Sequence, residues 1–263
     1  MARTMLQIQD VTKRFGGLTA VDGLSLTVNA GEVFGFLGPN GAGKTTTIKM
    51  CTGLLKPNSG SVHIGGHDIV KEPLFAKRLL GYVPDIPFLY EQLSGREFLR
   101  FVARLYQLNA DHTPTIEGRI QGILDQFEMT VKADELIKGY SLGMRRKIAI
   151  AAALIHEPKI IFLDEPTSGL DPKSARWVKD TFRYLAGQGV TILLTTHIME
   201  IAERICDRIG IIHQGKLVAL GSFAELKTEA GRSDSTLEDI FLQVTGEASS
   251  DMLAVLDSDG AKA

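Results

Sequence analysis

Apolar residues follow two rhythms along this chain. The first is the short unbroken run. Val33-Phe34-Gly35-Phe36-Leu37 and Ile160-Ile161-Phe162-Leu163 are nearly all apolar at successive positions, as strands buried on both faces of a parallel sheet must be. Residues 190–195 predict another strand, and a brief one at 81–83 is stopped by Pro84. Residues 5–11 alternate loosely and predict a strand, followed by a turn over Lys13-Arg14-Phe15-Gly16-Gly17 and further strand over 18–28. Residues 61–64 predict a strand after the Pro57-Asn58-Ser59-Gly60 turn. Residues 209–213 and 216–220 flank Gln214-Gly215 and predict a hairpin.

The second rhythm is helical and dominates the middle of the chain. Ser94-Gly95-Arg96-Glu97 is a capping box, opening a helix whose expected buried stripe is Phe98, Phe101, Val102, Leu105 and Tyr106. Thr113-Pro114 opens another, with Ile116, Ile120, Ile123, Leu124 and Phe127 as its stripe. Residues 129–139 predict a short helix and loops, and Ser141 caps a helix over 142–156. Residues 85–158 therefore read as an all-helical lobe inserted into a strand-bearing core. Further helices are expected over 44–54, weakened by Gly53, over 73–80, and over 172–186 behind the cap-and-proline pair Asp171-Pro172. Others are expected over 198–205, after a second capping box of Ser222 with Glu225, and over 236–244. The small, polar, acidic stretch 249–263 predicts a frayed tail.

Composition adds mainly exclusions. The chain has 263 residues, 44% hydrophobic and 23% charged, with a net charge of −2, which fits a globular protein with a substantial core. The longest basic cluster, Arg145-Arg146-Lys147, is too small for a nucleic-acid footprint, so no nucleic acid is expected as partner. Cys51 and Cys206 lie far apart and predict neither a disulfide nor a zinc framework. His63 and His67 have ligand-like spacing, but no cysteine or third histidine stands near, so a solvated pair is expected. The longest apolar run, 148–155, falls far short of the roughly 20 residues a membrane span needs. The first ten residues lack the apolar core of a signal peptide. A soluble, cytosolic protein is expected, unless a partner holds it at a membrane.

One stretch carries chemistry outright. Gly38-Pro39-Asn40-Gly41-Ala42-Gly43-Lys44-Thr45-Thr46 fits G-x-x-x-x-G-K-[ST], between a predicted strand and a predicted helix. Glycines let the backbone curl with its N–H groups inward, where side chains would block a phosphate. The helix N-terminus adds partial positive charge. Lys44 offers a mobile full charge to β- and γ-phosphates, and the Thr45 hydroxyl suits Mg²⁺.

Such a loop needs a metal-holding acid and a group to activate water. The strand at 160–163 delivers Asp164 and Glu165 at its C-terminal end, where open α/β sheets bind ligands. Asp164 is the candidate for Mg²⁺ and Glu165 the candidate proton acceptor; taken alone, the pair also reads as a polar turn. His197 ends the next strand and is placed to bond a γ-phosphate and position water, or else is an ordinary loop histidine. Phe15, on a turn, reads either as an aromatic for stacking an adenine or as a residue closing the end of a β-sandwich.

These residues, in this order, resemble the ATP-binding subunit of an ABC transporter over about residues 5–221. The resemblance assigns Phe15 to adenine stacking, Gly38 through Thr46 to Walker A, and 160–165 to Walker B with the catalytic glutamate. It assigns Ser168-Gly169-Leu170-Asp171 to the D-loop and His197 to the switch histidine. The family signature, usually Leu-Ser-Gly-Gly-Gln, aligns with Tyr140-Ser141-Leu142-Gly143-Met144, which keeps Ser141 and Gly143 but puts Leu142 and Met144 where Gly and Gln stand. Where the family's Q-loop carries glutamine, this chain has Asp85, which can still bind Mg²⁺ but adds negative charge beside the γ-phosphate. The Pro84-Asp85 form resembles the exporter-type (ABC-2-like) subset.

The resemblance implies a fold, a P-loop NTPase (RecA-like) α/β core with an antiparallel β-subdomain and an inserted all-helical subdomain. It implies an ABC ATPase domain over 1–245: core over 1–84 and 159–221, helical signature subdomain over 85–158, C-terminal helices over 222–245, and a flexible tail over 246–263. It also implies a mechanism. Two ATPase subunits, alike or different, face head to tail, each ATP held between Walker A of one and Ser141, Gly143 and Met144 of the other. The helical lobe and the Asp85 loop grip a separate integral-membrane permease, which keeps this subunit peripheral at the cytoplasmic face. The rival is a soluble ABC-type ATPase of DNA repair or translation; such proteins carry a long coiled coil or a second ATPase domain, and neither is visible here. A non-hydrolysing switch is disfavoured by Glu165 and His197.

Overall fold

The computed structural model describes residues 3–108, 115–231 and 236–246. The chain opens with two long strands, β1 (Thr4–Phe15) and β2 (Leu18–Asn29), and the predicted buried strand, β3 (Val33–Leu37). Then follow α1 (Lys44–Cys51), β4 (Ser59–Ile64), the two-residue β5 (His67–Asp68), α2 (Pro73–Arg78) and β6 (Leu80–Val83). The helical stretch holds α3 (Gly95–Leu105), α4 (Ile116–Gln126), two single 3₁₀ turns and α5 (Leu142–Leu154). The remainder is β7 (Ile160–Leu163), α6 (Pro172–Gly187), β8 (Thr191–Thr196), α7 (Met199–Ile205), the hairpin β9 (Arg208–His213) and β10 (Lys216–Gly221), α8 (Phe223–Glu229) and α9 (Leu237–Thr245).

Two sheets result. One is antiparallel, in the order β2-β1-β4-β5; the other has the order β10-β9-β3-β8-β7-β6 and is parallel except for β10. The short unbroken runs form the middle of the parallel sheet, where both faces are covered. Alternate residues of β7 show why every position must be apolar: Ile160 and Phe162 join the core under the antiparallel sheet, with Phe34, Phe36, Leu6 and Val21. Ile161 and Leu163 join the opposite core, with Ile192 and Leu194. That second core continues without a break into the helical stretch through Leu99, Ile120, Leu124, Phe127 and Ile148. A third cluster holds Leu226, Leu237, Ile240 and Phe241 of α8 and α9 against Ile209 and Ile211 of β9.

Several expectations are corrected. The stretch from Lys13 to Phe15 is strand, and the turn is only Gly16-Gly17, because Gly16 takes φ +56 and lets the chain reverse in two residues. α1 stops at Cys51, and Gly53, at φ +68, lies beyond it. α2 ends at Arg78, and Leu80 already belongs to β6, paired in parallel with Ile160. The stripe of α3 is rotated: Phe98, Leu99 and Ala103 are buried, while Phe101, Leu105 and Tyr106 are exposed. The predicted opening of α4 at Thr113-Pro114 lies outside the described residues, as does the predicted tail; the first turn of α4 is capped by the Thr115 hydroxyl. The capping boxes at Ser94 and Ser222 are present in full.

Candidate functional site

Parallel register sets the stage. Leu37 pairs with Thr196, Leu194 with Leu163, and Leu163 with Val83. The residues just past these ends, Gly38, His197, Asp164 and Pro84, therefore emerge along one edge of the sheet, although they span most of the chain.

The loop after β3 is shaped by its glycines. Gly43 takes φ +109, and a Cβ there would lie 2.6 Å from the Ala20 carbonyl oxygen. A Cβ on Gly38 would strike the Ile212 carbonyl. Lys44 is buried and folded back, its ammonium donating to the Gly38 carbonyl at 2.6 Å and the Pro39 carbonyl at 3.2 Å. The loop floors a cavity of about 390 Å³ that Phe15, Asn40, Lys44, Thr45, Thr46, Asp85, Asp164 and Glu165 help to line. Phe15 is exposed at its mouth, not closed inside the sheet packing, with the Lys13 ammonium 5.3 Å from its ring centre.

Asp164 is buried, and its Oδ1 accepts the Thr195 hydroxyl at 2.6 Å. That same oxygen of Thr195 accepts the Glu165 backbone N–H at 3.0 Å. Thr195, read from the sequence only as a strand residue, thus fixes both acids. Glu165 holds the left-handed backbone at φ +46, a strained state for a residue with a side chain. Its carboxylate is clamped on both sides: Oε1 lies 3.6 Å from the Lys44 ammonium, and Oε2 lies 3.0 Å from Nδ1 of His197. The structure therefore brings together the phosphate loop, both Walker B acids, Phe15 and Asp85 around one cavity, with His197 reaching it through Glu165.

Ser141, Gly143, Met144 and Asp171 lie apart from that cavity. Ser141 caps α5 by accepting the Met144 N–H. Gly143 lies hard against α6: a Cβ there would sit 2.7 Å from the Ser174 hydroxyl oxygen. Asp171 caps α6 and accepts the Ser174 hydroxyl at 2.6 Å. That bond and the adjoining backbone N–H groups hold the Asp171 carboxyl below the usual range.

The basic triplet does three separate jobs. Arg145 reaches Glu91 and the Tyr140 carbonyl, and Lys147 lies over the Trp177 ring at 4.4 Å. Arg146 turns inward, where it donates to the backbone carbonyls of Pro84 and Asp85. Burial pushes its guanidinium pKa down, and the nearby carboxylates of Asp85 and Asp164 oppose that. A signal for it exists in the sequence: Arg146 shares the apolar face of Ala149, Ile150 and Ala153, a charge on a buried stripe.

The family described as ABC transporter matches residues 21–168. The chain is 41% identical to the daunorubicin resistance ATP-binding protein DrrA3 of Streptomyces coeruleorubidus, over 88% of this chain and 72% of that one. It is 41% identical to the linearmycin resistance ATP-binding protein LnrL of Bacillus subtilis, over 86% of this chain and 72% of that one. Among solved structures, the ATP-binding subunit of an ABC transporter superposes with a TM-score of 0.84 at 31% identity, covering 92% of this chain and 99% of the other. These likenesses lend nothing to the DNA-repair alternative, and no coiled coil occurs among the described residues, whose longest helix, α6, has 16 residues. Nor is any described helix long and apolar enough to cross a membrane. With the resemblance in motif, fold and overall sequence all in agreement, the chain belongs to the ABC transporter family, as an ATP-binding and ATP-hydrolysing subunit.

Proposed function

We propose that this subunit drives an exporter by hydrolysing MgATP in the cavity beside Lys44, paired head to tail with a second ATPase subunit. The observation that carries this reading is Glu165, clamped between Lys44 and His197 beside the buried Asp164. When ATP enters, the Lys44 ammonium exchanges the Gly38 and Pro39 carbonyls for the β- and γ-phosphates, and the loop N–H groups take the remaining oxygens. Phe15 stacks on the adenine. Glu165 accepts a proton from the water attacking the γ-phosphorus, the bond to the ADP oxygen breaks, and His197 holds the Glu165 carboxylate in line.

The donors around the cavity are hard oxygens, the Thr45 hydroxyl and the carboxylates of Asp164 and Asp85, which is the chemistry Mg²⁺ takes. Thr45 and Asp164 are the residues we assign to hold it, with Asp85 as a further candidate. Held there, Mg²⁺ would neutralise part of the polyphosphate's charge.

Ser141, Gly143 and Met144 lie apart from their own cavity, and Asp171 with them, which fits a site completed across a dimer. We assign the first three to the ATP of the opposite subunit and Asp171 to the contact between subunits. A groove of about 330 Å³ beside Pro84, Pro87, Phe88, Phe98, Val102 and Tyr106 is the dock for the membrane permease. Phe88, on its lining, and the sequence neighbours Ile86 and Tyr90 are large apolar side chains left exposed. The resistance functions named for the relatives support export. The test is direct: co-expressed with its permease and purified from membranes, the protein should release inorganic phosphate from MgATP. Turnover without any retained membrane partner would remove transport and leave the ATPase.

A further inference from the structure

A carboxylate lining a polyphosphate cavity repels the ligand unless its charge is offset. This cavity has Lys44 as its lining cation and three carboxylates, Asp85, Asp164 and Glu165, among the described residues. Arg146 stands directly behind that wall. It is only 2% exposed and is the largest fully buried side chain of the described residues. Its Nη1 donates to the Pro84 carbonyl at 3.0 Å and its Nη2 to the Asp85 carbonyl at 2.8 Å. Nη2 also lies 3.8 Å from Oδ1 of Asp85, while Nε has no partner. A buried cation must be paired, and a planar fork spanning two successive carbonyls is a task for guanidinium that an ammonium does poorly.

We propose that Arg146 is a positioning residue for the γ-phosphate end of the nucleotide site, holding the Asp85 loop by its backbone and offsetting the Asp85 charge. At 3.8 Å the carboxylate is compensated more than it is bonded, so its side chain stays free to face the cavity. Because Arg146 lies on α5, two residues beyond Met144, it ties the helix capped by Ser141 to the loop lining the chain's own cavity. This inference rests on the nucleotide-site reading above.

The test is a charge-specific rescue. Binding of trinitrophenyl-ATP is measured in EDTA for the parent, Asp85→Asn, Arg146→Met and the double variant. Asp85→Asn should raise metal-free affinity by a smaller factor in the parent, where Arg146 offsets the carboxylate, than in the Arg146→Met background. Arg146→Met should weaken binding by about fivefold or more, and adding Asp85→Asn should recover most of that loss. A purely structural role would not produce the recovery. If Asp85→Asn shifts affinity by one factor in both backgrounds, the proposal is overturned. If Arg146→Met does not fold, Arg146→Gln, which keeps a donor for the carbonyls without the charge, replaces it in the cycle with the same expectations. A parent that fails to bind trinitrophenyl-ATP would overturn the nucleotide-site reading itself, and a binding parent without coupling would overturn Arg146 alone.

Discussion

The strands that carry the phosphate loop and the Walker B acids, and the helix α3 that borders the groove, are both written in apolar residues, yet they use them differently. β3 and β7 bury every position, because one face meets the antiparallel sheet and the other meets the helices. α3 buries Phe98, Leu99 and Ala103 but leaves Phe101 and Leu105 exposed. Apolar side chains in the first region hold this chain together. In the second, part of the apolar surface is held back from the fold, which is what a partner-binding face requires. On the proposed reading, the same contrast separates two roles, chemistry on a rigid sheet edge and coupling through a helical surface.

Four variants sharpen or break this contrast. The largest effect is expected at the rigid edge: Glu165→Gln should lower phosphate release by about 10²–10⁴-fold while ATP binding persists, since only the proton acceptor is lost. Turnover near that of the parent would take Glu165 out of the chemistry. Next comes the buried strand beneath it. Leu163→Ala, at a fully buried position in β7, should cost about 2–5 kcal/mol of stability in chemical denaturation; a loss near zero would mean that the strand is not the support it is taken to be.

On the helical side the expectation reverses. Leu105→Ser, at a largely exposed position, should move stability by no more than about 0.5 kcal/mol, while sharply reducing recovery of the protein with membranes that contain its permease. Large destabilisation with normal recovery would show that this face serves the fold. The smallest effect concerns His156, which stacks on Tyr106 at 3.7 Å between ring centres and meets the Leu80 carbonyl through Nε2. Burial pushes its pKa below the usual histidine value, against the pull of that carbonyl. Above about pH 6.5 both folded and unfolded chains hold it neutral. As pH falls below that, the unfolded chain takes up the proton first, so stability declines with acid. Melting curves between pH 7 and pH 5 should therefore slope less steeply for His156→Gln than for the parent.

The two regions also differed in how far the sequence alone revealed them. The runs at 33–37 and 160–163 matched their strands to the residue, because a segment buried on both faces must be apolar throughout. The stripe of α3 was misjudged because a helix rich in apolar residues offers several faces, and its neighbours choose among them. Thr195 and Arg146 were missed for a related reason: each matters only through residues about 30 and 60 positions away.

The amino-acid sequence by itself determined the phosphate loop, the strand and helix around it, the caps at Ser94, Asp171 and Ser222, and the acids at 164 and 165. These depend on backbone preferences and hydrogen bonds within a few residues, which local composition dictates. Only the tertiary structure decided that Phe15 opens onto the phosphate cavity, that Glu165 is clamped between Lys44 and His197, and that Arg146 stands behind Asp85. The clamp on Glu165 follows from the parallel register of β7, β8 and β3, and the other two meetings from how two sheets and a helical layer bury their surfaces against one another, not from any single segment.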